Sequence, residues 1–357
     1  MKPKHLLLIS TLLLFSLFIS ACSSAAYAST GFYGLTTSTD TAFLAAGSQV
    51  HAIDLNTHTE KWLYPANKNN KGFYANPVLT SDGQLLVAGY DGNLNGVDPA
   101  SGSLKHNFSG SANRLVASPL VIGNTIYQPS TDGNIYAIDL SSFSGHKFAS
   151  TGGPIWASPV TDSNCGCIYI ASMDHRVYKF DAIKGTELSK SIDLGGSVVG
   201  TPAVGLDGTL YVGTFGKQMI ALNTSDLSVK WTFDTKDWVW SGPALANNVL
   251  YFGDLSGNFY ALNINDRSAY FPQLQVGKPV VDTPLVSGDK IYFTAESDSL
   301  YIADTTGNIS SKVIGGTIYS APALAGDTIL VTPSGFSSQL VALSLDGTQK
   351  WAFPPPK

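Results

Sequence analysis

Short apolar runs separated by glycine, asparagine, aspartate and serine recur along almost the whole chain. Residues 113–148 show the pattern most clearly. Apolar segments at 115–120, 125–128, 135–139 and around 147–148 alternate there with turn-forming sequences at 123–124, 131–134 and 141–145. Short apolar runs between such turn residues predict β-strands joined by tight hairpins. This segment is therefore expected to form four antiparallel strands.

Two markers repeat along the chain with a period of about 41 residues. The first is a proline, at Pro77, Pro119, Pro159, Pro202, Pro243, Pro284 and Pro322, with Leu35 in the corresponding place of the first unit. The second is an apolar strand that ends in a polar residue, at Asp54, Asp98, Asp139, Asp181, Asn223, Asn263, Asp304 and Ser344. Each marker counts eight units. Residues 32–354 are therefore predicted to form an all-β fold, an eight-bladed β-propeller of four-stranded antiparallel blades.

The N-terminus has the features of an export signal. Lys2 and Lys4 precede an apolar run over 6–19, which is shorter than the roughly 20 residues that a membrane-spanning helix needs. The run ends in Ile19-Ser20-Ala21-Cys22, which resembles the bacterial lipobox. We expect a lipoprotein signal peptide at 1–21, lipidation of Cys22 and a flexible tether at 22–31. An ordinary signal peptide with Cys22 unmodified is the alternative.

These features predict an exported protein on the extracytoplasmic side of a bacterial membrane. The covalent lipid, which includes palmitate, would be its only membrane anchor, and the membrane would be the outer one in a host with two membranes. The formal net charge is −5, and removal of the signal peptide takes away two lysines and makes it more negative. An acidic protein of this kind is not expected to bind nucleic acid or anionic lipid through a basic patch.

Few residues suggest covalent or metal chemistry. Beyond Cys22 the chain has two cysteines, Cys165 and Cys167, which are too few for a structural zinc site. They are predicted to form a local disulfide or to remain free in a turn. Aspartates followed by glycine, such as Asp82 and Asp132, are interpreted as turn residues rather than metal ligands. No catalytic residue and no metal ligand is predicted.

The end of each unit resembles a known repeat. Ala52-Ile53-Asp54 leads to Lys61-Trp62, Ala221-Leu222-Asn223 to Lys230-Trp231, and Ala342-Leu343 to Lys350-Trp351. This pattern resembles the PQQ-like, or quinoprotein-type, repeat family over residues 32–354. The resemblance implies that the fourth-strand tryptophans Trp62, Trp231 and Trp351 dock between blades. Phe108, Phe148 and Phe233 are the aromatic partners or substitutes expected in other units.

The resemblance also bears on function. Quinone-binding enzymes of this family carry an adjacent cysteine pair and a calcium site, whereas Gly166 separates the two cysteines here and no acidic cluster stands out. No cofactor is therefore expected, with pyrroloquinoline quinone and calcium as the alternative. An exported lipoprotein made only of eight such repeats is similar to the BamB family of scaffolds of the outer-membrane β-barrel assembly machinery. This similarity implies a non-enzymatic scaffold with a protein partner in the envelope assembly machinery. A quinone-dependent dehydrogenase and a small-ligand or glycan sensor remain alternatives.

A second set of aromatic residues recurs at a fixed distance before the proline marker. The residues three places before it are Phe32, Tyr74, Val116, Trp156, Val199, Trp240, Val281 and Tyr319, of which five are aromatic. At the mouth of a central channel these side chains would form a binding surface, with Trp238 in the loop just before Trp240. Blade-to-blade core packing is the other interpretation.

Overall fold

The computed structural model describes residues 32–66, 72–162 and 165–354. The predicted signal peptide, Cys22 and the tether lie outside the described residues. These described residues make up one compact unit, and every regular element in them is a β-strand. No helix among the described residues is long and apolar enough to cross a bilayer.

Blades 1 to 4 each use one continuous segment of chain and four strands in sequential order. Blade 1 contains β1 (Gly34–Thr37), β2 (Thr41–Ala46), β3 (Gln49–Asp54) and β4 (Glu60–Tyr64). Blade 2 contains β5 (Val78–Leu79), β6 (Leu85–Ala88), β7 (Leu94–Val97) and β8 (Leu104–Phe108). Blade 3 contains β9 (Leu120–Ile122), β10 (Thr125–Pro129), β11 (Asn134–Asp139) and β12 (Gly145–Ser150). Blade 4 contains β13 (Val160–Asp162), β14 (Cys167–Ala171), β15 (Val177–Asp181) and β16 (Glu187–Lys190).

Blades 5 to 8 repeat this order, with one addition in blade 8. Blade 5 contains β17 (Ala203–Gly205), β18 (Thr209–Thr214), β19 (Gln218–Asn223) and β20 (Val229–Asp234). Blade 6 contains β21 (Ala244–Ala246), β22 (Val249–Gly253), β23 (Asn258–Asn263) and β24 (Leu274–Gln275). Blade 7 contains β25 (Leu285–Ser287), β26 (Lys290–Thr294), β27 (Ser299–Asp304) and β28 (Ile309–Val313). Blade 8 contains β30 (Ala323–Ala325), β31 (Thr328–Val331), β33 (Leu340–Ser344) and β34 (Gln349–Phe353), while β29 (Thr317–Ile318) and β32 (Pro333–Ser334) form a separate two-stranded sheet.

The ring closes without a shared blade. Blade 1 and blade 8 bury one apolar cluster between them, in which Leu35 and Leu44 pack with Leu330, Leu340 and Phe353. In each blade the second and the third strand are buried along almost their whole length, so both faces of the sheet are covered. A ring gives both faces of every blade a neighbour.

The antiparallel meander assigns its loops to two ends of the ring. Turns between first and second strands, and between third and fourth strands, lie at one end, which we call the turn end. Loops between second and third strands, and from the fourth strand to the next blade, lie at the other, which we call the cavity end. Every turn between third and fourth strands has one residue with a left-handed backbone, at His58, Gly102, Phe143, Gly185, Leu227, Arg267, Gly307 and Gly347.

Several of these turns receive an aromatic side chain from the preceding blade. The indole N–H of Trp62 donates to the carbonyl of Pro99 at 2.9 Å, and a Cβ on Gly102 would lie 2.6 Å from the same ring. Trp351 stacks on His58 with ring centroids 4.6 Å apart, which joins blade 8 to blade 1. In blade 2 the docking residue is His106, which stacks on Phe143 of blade 3 at 4.9 Å and was not predicted.

The predicted aromatic substitutes also lie between blades. Phe108 contacts Tyr136 of blade 3, with ring centroids 5.6 Å apart. Phe148 approaches Gly185 of blade 4. Phe233 packs edge-on against Tyr260 of blade 6. Trp231 is partly buried in the apolar cluster that blades 5 and 6 share.

The strand prediction for residues 113–148 was wrong in one place. The second, third and fourth strands lie as expected, but the first strand is β9, Leu120–Ile122, and not 115–120. The segment before it runs extended into the ring without pairing as a strand. The same holds for Phe32, which precedes β1. We call the segment just before the first strand of each blade its entrance segment. The residues three places before the repeat proline, or before Leu35 in blade 1, lie in these entrance segments.

Candidate functional site

The entrance segments surround one cavity at the cavity end of the ring. Its volume is about 350 Å³, which falls in the lower part of the range of small-molecule sites, roughly 300–1,000 Å³. Its lining comes from blades 1 to 7 and comprises Phe32, Tyr33, Tyr74, Ala75, Asn76, Tyr90, Val116, Ala117, Ser118, Trp156, Ser158, Val199, Gly200, Thr201, Trp240, Gly242, Val281, Asp282 and Thr283.

The aromatic positions predicted from the repeat meet at this cavity. Phe32, Tyr74, Trp156 and Trp240 line it, together with the three valines of the same set. Tyr319 is not in the lining, but its ring lies 5.6 Å from that of Phe32. Val199 and Val281 are buried, whereas Trp156 is 39% exposed. The three valines and the four aromatic side chains therefore all reach the cavity, and the valines are less exposed than Trp156.

Phe32 connects blades that are distant in sequence. Its ring stacks on that of Trp240 of blade 6, with centroids 6.2 Å apart and planes 8° from parallel. Trp240 also meets Trp156 of blade 4 edge-on at 6.2 Å. Because Phe32 contacts Trp240 and Tyr319, it links the entrance segments of blades 1, 6 and 8. The result is a continuous aromatic surface on that side of the cavity.

Two further groups of side chains form the rim. Trp238, which is 44% exposed, stacks on Phe215 at 4.8 Å, and Phe215 contacts Trp240 at 5.4 Å. Trp238 therefore lies on the rim and outside the lining. On the opposite side the guanidinium of Arg114 lies 4.5 Å above the ring centre of Tyr90, a cation–π contact.

Backbone amides at the first-strand entrances are satisfied by the next blade. Ser118 N–H donates to Ser158 Oγ at 3.0 Å, and Ser158 N–H donates to Thr201 Oγ1 at 3.2 Å. Leu35 N–H donates in the same way to Asn76 Oδ1 at 3.0 Å. The entrance segments of adjacent blades lie close to each other. A Cβ on Gly200 of blade 5 would lie only 2.7 Å from a backbone oxygen of blade 6.

Blade 7 differs from this arrangement. The residue of blade 8 that corresponds to Ser158 and Thr201 is Ala321, whose side chain cannot accept a hydrogen bond. Asp282 of blade 7 takes this role and accepts from the N–H groups of Thr283 and Ala321, each at 2.7 Å. Burial raises the pKa of the Asp282 carboxyl group to about 6, although the two amide hydrogen bonds act in the opposite direction. No ion pair to Asp282 is found within the described part of the chain.

The lining does not fit a quinone with calcium. Calcium takes about six to eight oxygen ligands, whereas the cavity offers one carboxylate, Asp282, and one side-chain amide, Asn76. Within the described ranges no group of three or more His, Cys, Asp or Glu side chains is placed to hold a metal ion. No reaction step through a quinone or a metal is therefore derived.

Of the two described cysteines, Cys165 lies in the turn between β13 and β14, which belongs to the turn end, and Cys167 is the first residue of β14. Cys165 and Cys167 form a disulfide there, with Cα atoms 5.2 Å apart. They are absent from the cavity lining.

Sequence reasoning missed Tyr33, Tyr90, Phe215 and Asp282. A signal for Asp282 was present, since the residue two places before the repeat proline is alanine, glycine or serine in the other six units that have this proline. Tyr90 and Phe215 occupy loops between second and third strands. No periodic marker distinguishes them from other loop residues.

The fold and the cavity define the class of protein, an eight-bladed β-propeller with an aromatic-lined site on its axis. The family model described as "Outer membrane protein assembly factor BamB" matches residues 23–166 and 173–309, which is more than half of the chain. The chain belongs to this family. A comparison with curated protein sequences finds no match.

Two crystal structures illustrate how widely this fold is shared. BamB from Moraxella catarrhalis superposes with a TM-score of 0.71 at 14% identity, and the match covers 86% of this chain and 94% of that one. The computationally designed Ika8 protein superposes with a TM-score of 0.73 at 12% identity, over 91% of this chain and 96% of its own. At such low identity both likenesses show the fold alone.

Proposed function

We propose that this chain is a non-enzymatic scaffold of BamB type, anchored to the membrane through lipidated Cys22. Its cavity end would bind a protein partner of the envelope assembly machinery. Membership of the BamB family supports a scaffold role. The distribution of exposed aromatic side chains favours the cavity end as the binding surface.

That distribution is the observation on which the proposal rests. Of the five large aromatic side chains that are well exposed in the described residues, Tyr90, Trp156, Trp238 and Phe336 lie at the cavity end. The fifth, Tyr270, follows β23 towards the turn end. Exposed apolar residues of the turn end, such as Ile183 and Leu206, are mainly aliphatic. Tyrosine and tryptophan are enriched in protein interfaces because they supply large contact areas at low entropic cost.

Site-specific photo-crosslinking in native membranes tests the proposal. A photoreactive phenylalanine analogue would replace Trp238 at the cavity end or, as the matched control, Leu206, which is fully exposed in a turn-end loop. Affinity purification and mass spectrometry then identify the captured proteins. We expect a specific envelope protein from position 238 and none from position 206. Equal capture from both positions, or no capture from position 238, would contradict the proposed surface.

The anchor and the absence of enzymatic activity need separate measurements. Labelling of cells with an alkyne-bearing palmitate analogue should tag the wild-type chain and fail to tag a Cys22→Ala variant. Purified protein supplied with pyrroloquinoline quinone, calcium and an alcohol or sugar should not reduce a redox dye. Dye reduction above a protein-free control would favour the dehydrogenase alternative.

A further inference from the structure

We propose that the cavity binds an organic ammonium group, held between the carboxylate of Asp282 and the aromatic side chains of the lining. The inference goes beyond the scaffold role, because the purified chain would bind such a cation without any protein partner. The ammonium group can come from a lysine side chain of a protein or from a small free cation.

The lining has the composition of a cation site. Six aromatic side chains are present, at Phe32, Tyr33, Tyr74, Tyr90, Trp156 and Trp240, and Asp282 is the one charged residue in the lining. Aromatic ring faces attract ammonium groups, and enclosures of several rings recognise alkylated ammonium ions. A carboxylate adds a direct electrostatic attraction, which is stronger where solvent is excluded.

The contact between Arg114 and Tyr90 is an independent observation at the same rim. There the chain already places one of its own cations over a ring of the cavity lining, 4.5 Å from the ring centre. Tyr90 in turn meets Tyr74 edge-on at 5.1 Å. Trp156 and Trp240 belong to the aromatic surface on the other side of the cavity. Among the described residues, no lysine or arginine of the chain forms a cation–π contact with either ring.

A purely structural role of Asp282 does not explain its charge. Entrance amides in other blades are satisfied by neutral side chains of the next blade, namely Asn76, Ser158 and Thr201. A neutral acceptor would therefore be sufficient for the amides of Thr283 and Ala321. Asp282 is only partly accessible to solvent. An ionised carboxylate that is partly withdrawn from water without a counter-ion costs free energy, and a bound cation would offset this cost.

The carboxylate also has acceptor capacity left for a ligand. Each of its oxygens accepts one backbone N–H, from Thr283 and from Ala321. An ionised carboxylate has about four acceptor positions, so that about two remain for an ammonium group. Phe32, Trp240 and this carboxylate line the same cavity, in which the ring of Phe32 also contacts that of Tyr319 of blade 8. The charge and the rings can therefore contact one ligand together.

The proposal is tested by titrating the purified chain with n-butylammonium chloride, followed by tryptophan fluorescence and calorimetry. We expect saturable binding with a dissociation constant on the order of millimolar. The neutral isostere n-butanol should bind at least about tenfold more weakly, because it lacks the charge. Absence of saturable binding, or equal binding of n-butanol, would overturn the proposal without involving any variant.

Two aspartate variants then localise the site. Asp282→Asn keeps the shape of the side chain and should weaken n-butylammonium binding by about tenfold or more. Asp207→Asn, which alters an exposed acid at the turn end, should leave the binding unchanged. Circular dichroism verifies that both variants are folded. Unchanged affinity in a folded Asp282→Asn variant would refute the assignment to this cavity.

The two sources of the ammonium group are separated by a capped tripeptide with a central lysine. If it binds at least about tenfold more tightly than n-butylammonium, additional contacts of the peptide indicate a lysine of a protein. Equal affinity indicates a small free cation. Acetylation of the lysine should abolish the peptide's binding, and an acetylated peptide that binds equally well would contradict recognition of a charge. Loss of the photo-crosslinks in membranes would refute the scaffold surface and leave these titrations valid.

Discussion

The turn end and the cavity end of the ring are built from the same repeat but differ in regularity. At the turn end all eight turns between third and fourth strands contain a residue with left-handed backbone. Aspartates at the start of several of these turns cap backbone amides, as Asp54 does for Asn56 and Thr57. At the cavity end the residue three places before the repeat proline varies between tryptophan, tyrosine, phenylalanine and valine. One blade alone contributes a carboxylate to the cavity lining.

This difference separates the requirements of folding from those of binding. The turn end repeats because every blade uses the same kind of tight turn between its third and fourth strands, and several of these turns receive an aromatic side chain of the preceding blade. The cavity end is free to vary, because the first strands pair correctly whatever side chain precedes them. Variation on a regular scaffold is typical of binding surfaces.

The largest expected effect concerns the turn end. Trp62→Ala should lower the free energy of unfolding by about 3–5 kcal/mol, because a buried indole that packs on blade 2 is lost. Trp238→Ala, at the exposed rim, should cost less than about 1 kcal/mol. Urea unfolding followed by circular dichroism measures both. Similar losses for the two variants would show that the rim is as structural as the turn end.

The next effect is a pH dependence that originates at the cavity end. Burial raises the pKa of Asp282 in the folded chain from its ordinary 3.8 to about 6, so the folded state binds the proton more tightly than the unfolded state. The free energy of unfolding should therefore fall as the pH rises from about 4 to about 6, by about 1–3 kcal/mol, and change little from this group above that. Asp282→Asn should remove this slope.

Aspartates of the turn end provide the contrast. Hydrogen bonds from serine side chains and turn amides lower the pKa of Asp139 to about 2, and turn amides lower that of Asp54 to about 2. Their contribution is present above pH 4 and is lost as the pH falls towards 2. Stability measured between pH 2 and pH 8 should thus show two separate windows. A single slope across the whole range would contradict the assignment of the upper window to Asp282.

A smaller effect is expected from the disulfide. The double variant Cys165→Ser/Cys167→Ser opens a very short loop and should cost about 1.5 kcal/mol or less. Binding of n-butylammonium should be unaffected, because these residues lie at the turn end. Alkylation followed by mass spectrometry checks the bond itself. Modification of both thiols without a reductant would show that the disulfide is absent.

The smallest effect is expected at Leu206. Its side chain is fully exposed between β17 and β18, so Leu206→Ser should change the free energy of unfolding by less than about 0.5 kcal/mol. Thermal unfolding is a sufficient measurement. A larger loss would indicate that the turn end has packing contacts beyond those of its regular turns.

Much of the fold followed from local features of the sequence. The two repeat markers predicted eight blades, and the predicted second, third and fourth strands of blade 3 match β10, β11 and β12. Turn residues and alternating apolar positions act within a few residues, which makes them readable from one sequence. The first strand of blade 3 was misplaced, because the apolar entrance segment resembles a strand in sequence.

The candidate site followed from the sequence only in part. Its aromatic members were found through the repeat, since equivalent positions of a ring must converge on its axis. Tyr90 and Asp282 were missed, because their significance depends on what stands opposite them in space. His106 was missed as a docking residue for the same reason, since its partner Phe143 belongs to the next blade.

The sequence by itself determined the number of blades, the order of their strands and the positions that face the axis, because these depend on hydrogen bonding and apolar alternation within a unit of about 41 residues. Only the tertiary structure decided that Phe32 of blade 1 stacks on Trp240 of blade 6 and that Asp282 shares a cavity with these rings. Such contacts join residues from different blades. They exist only once the ring has closed and brought its inner strands around one axis.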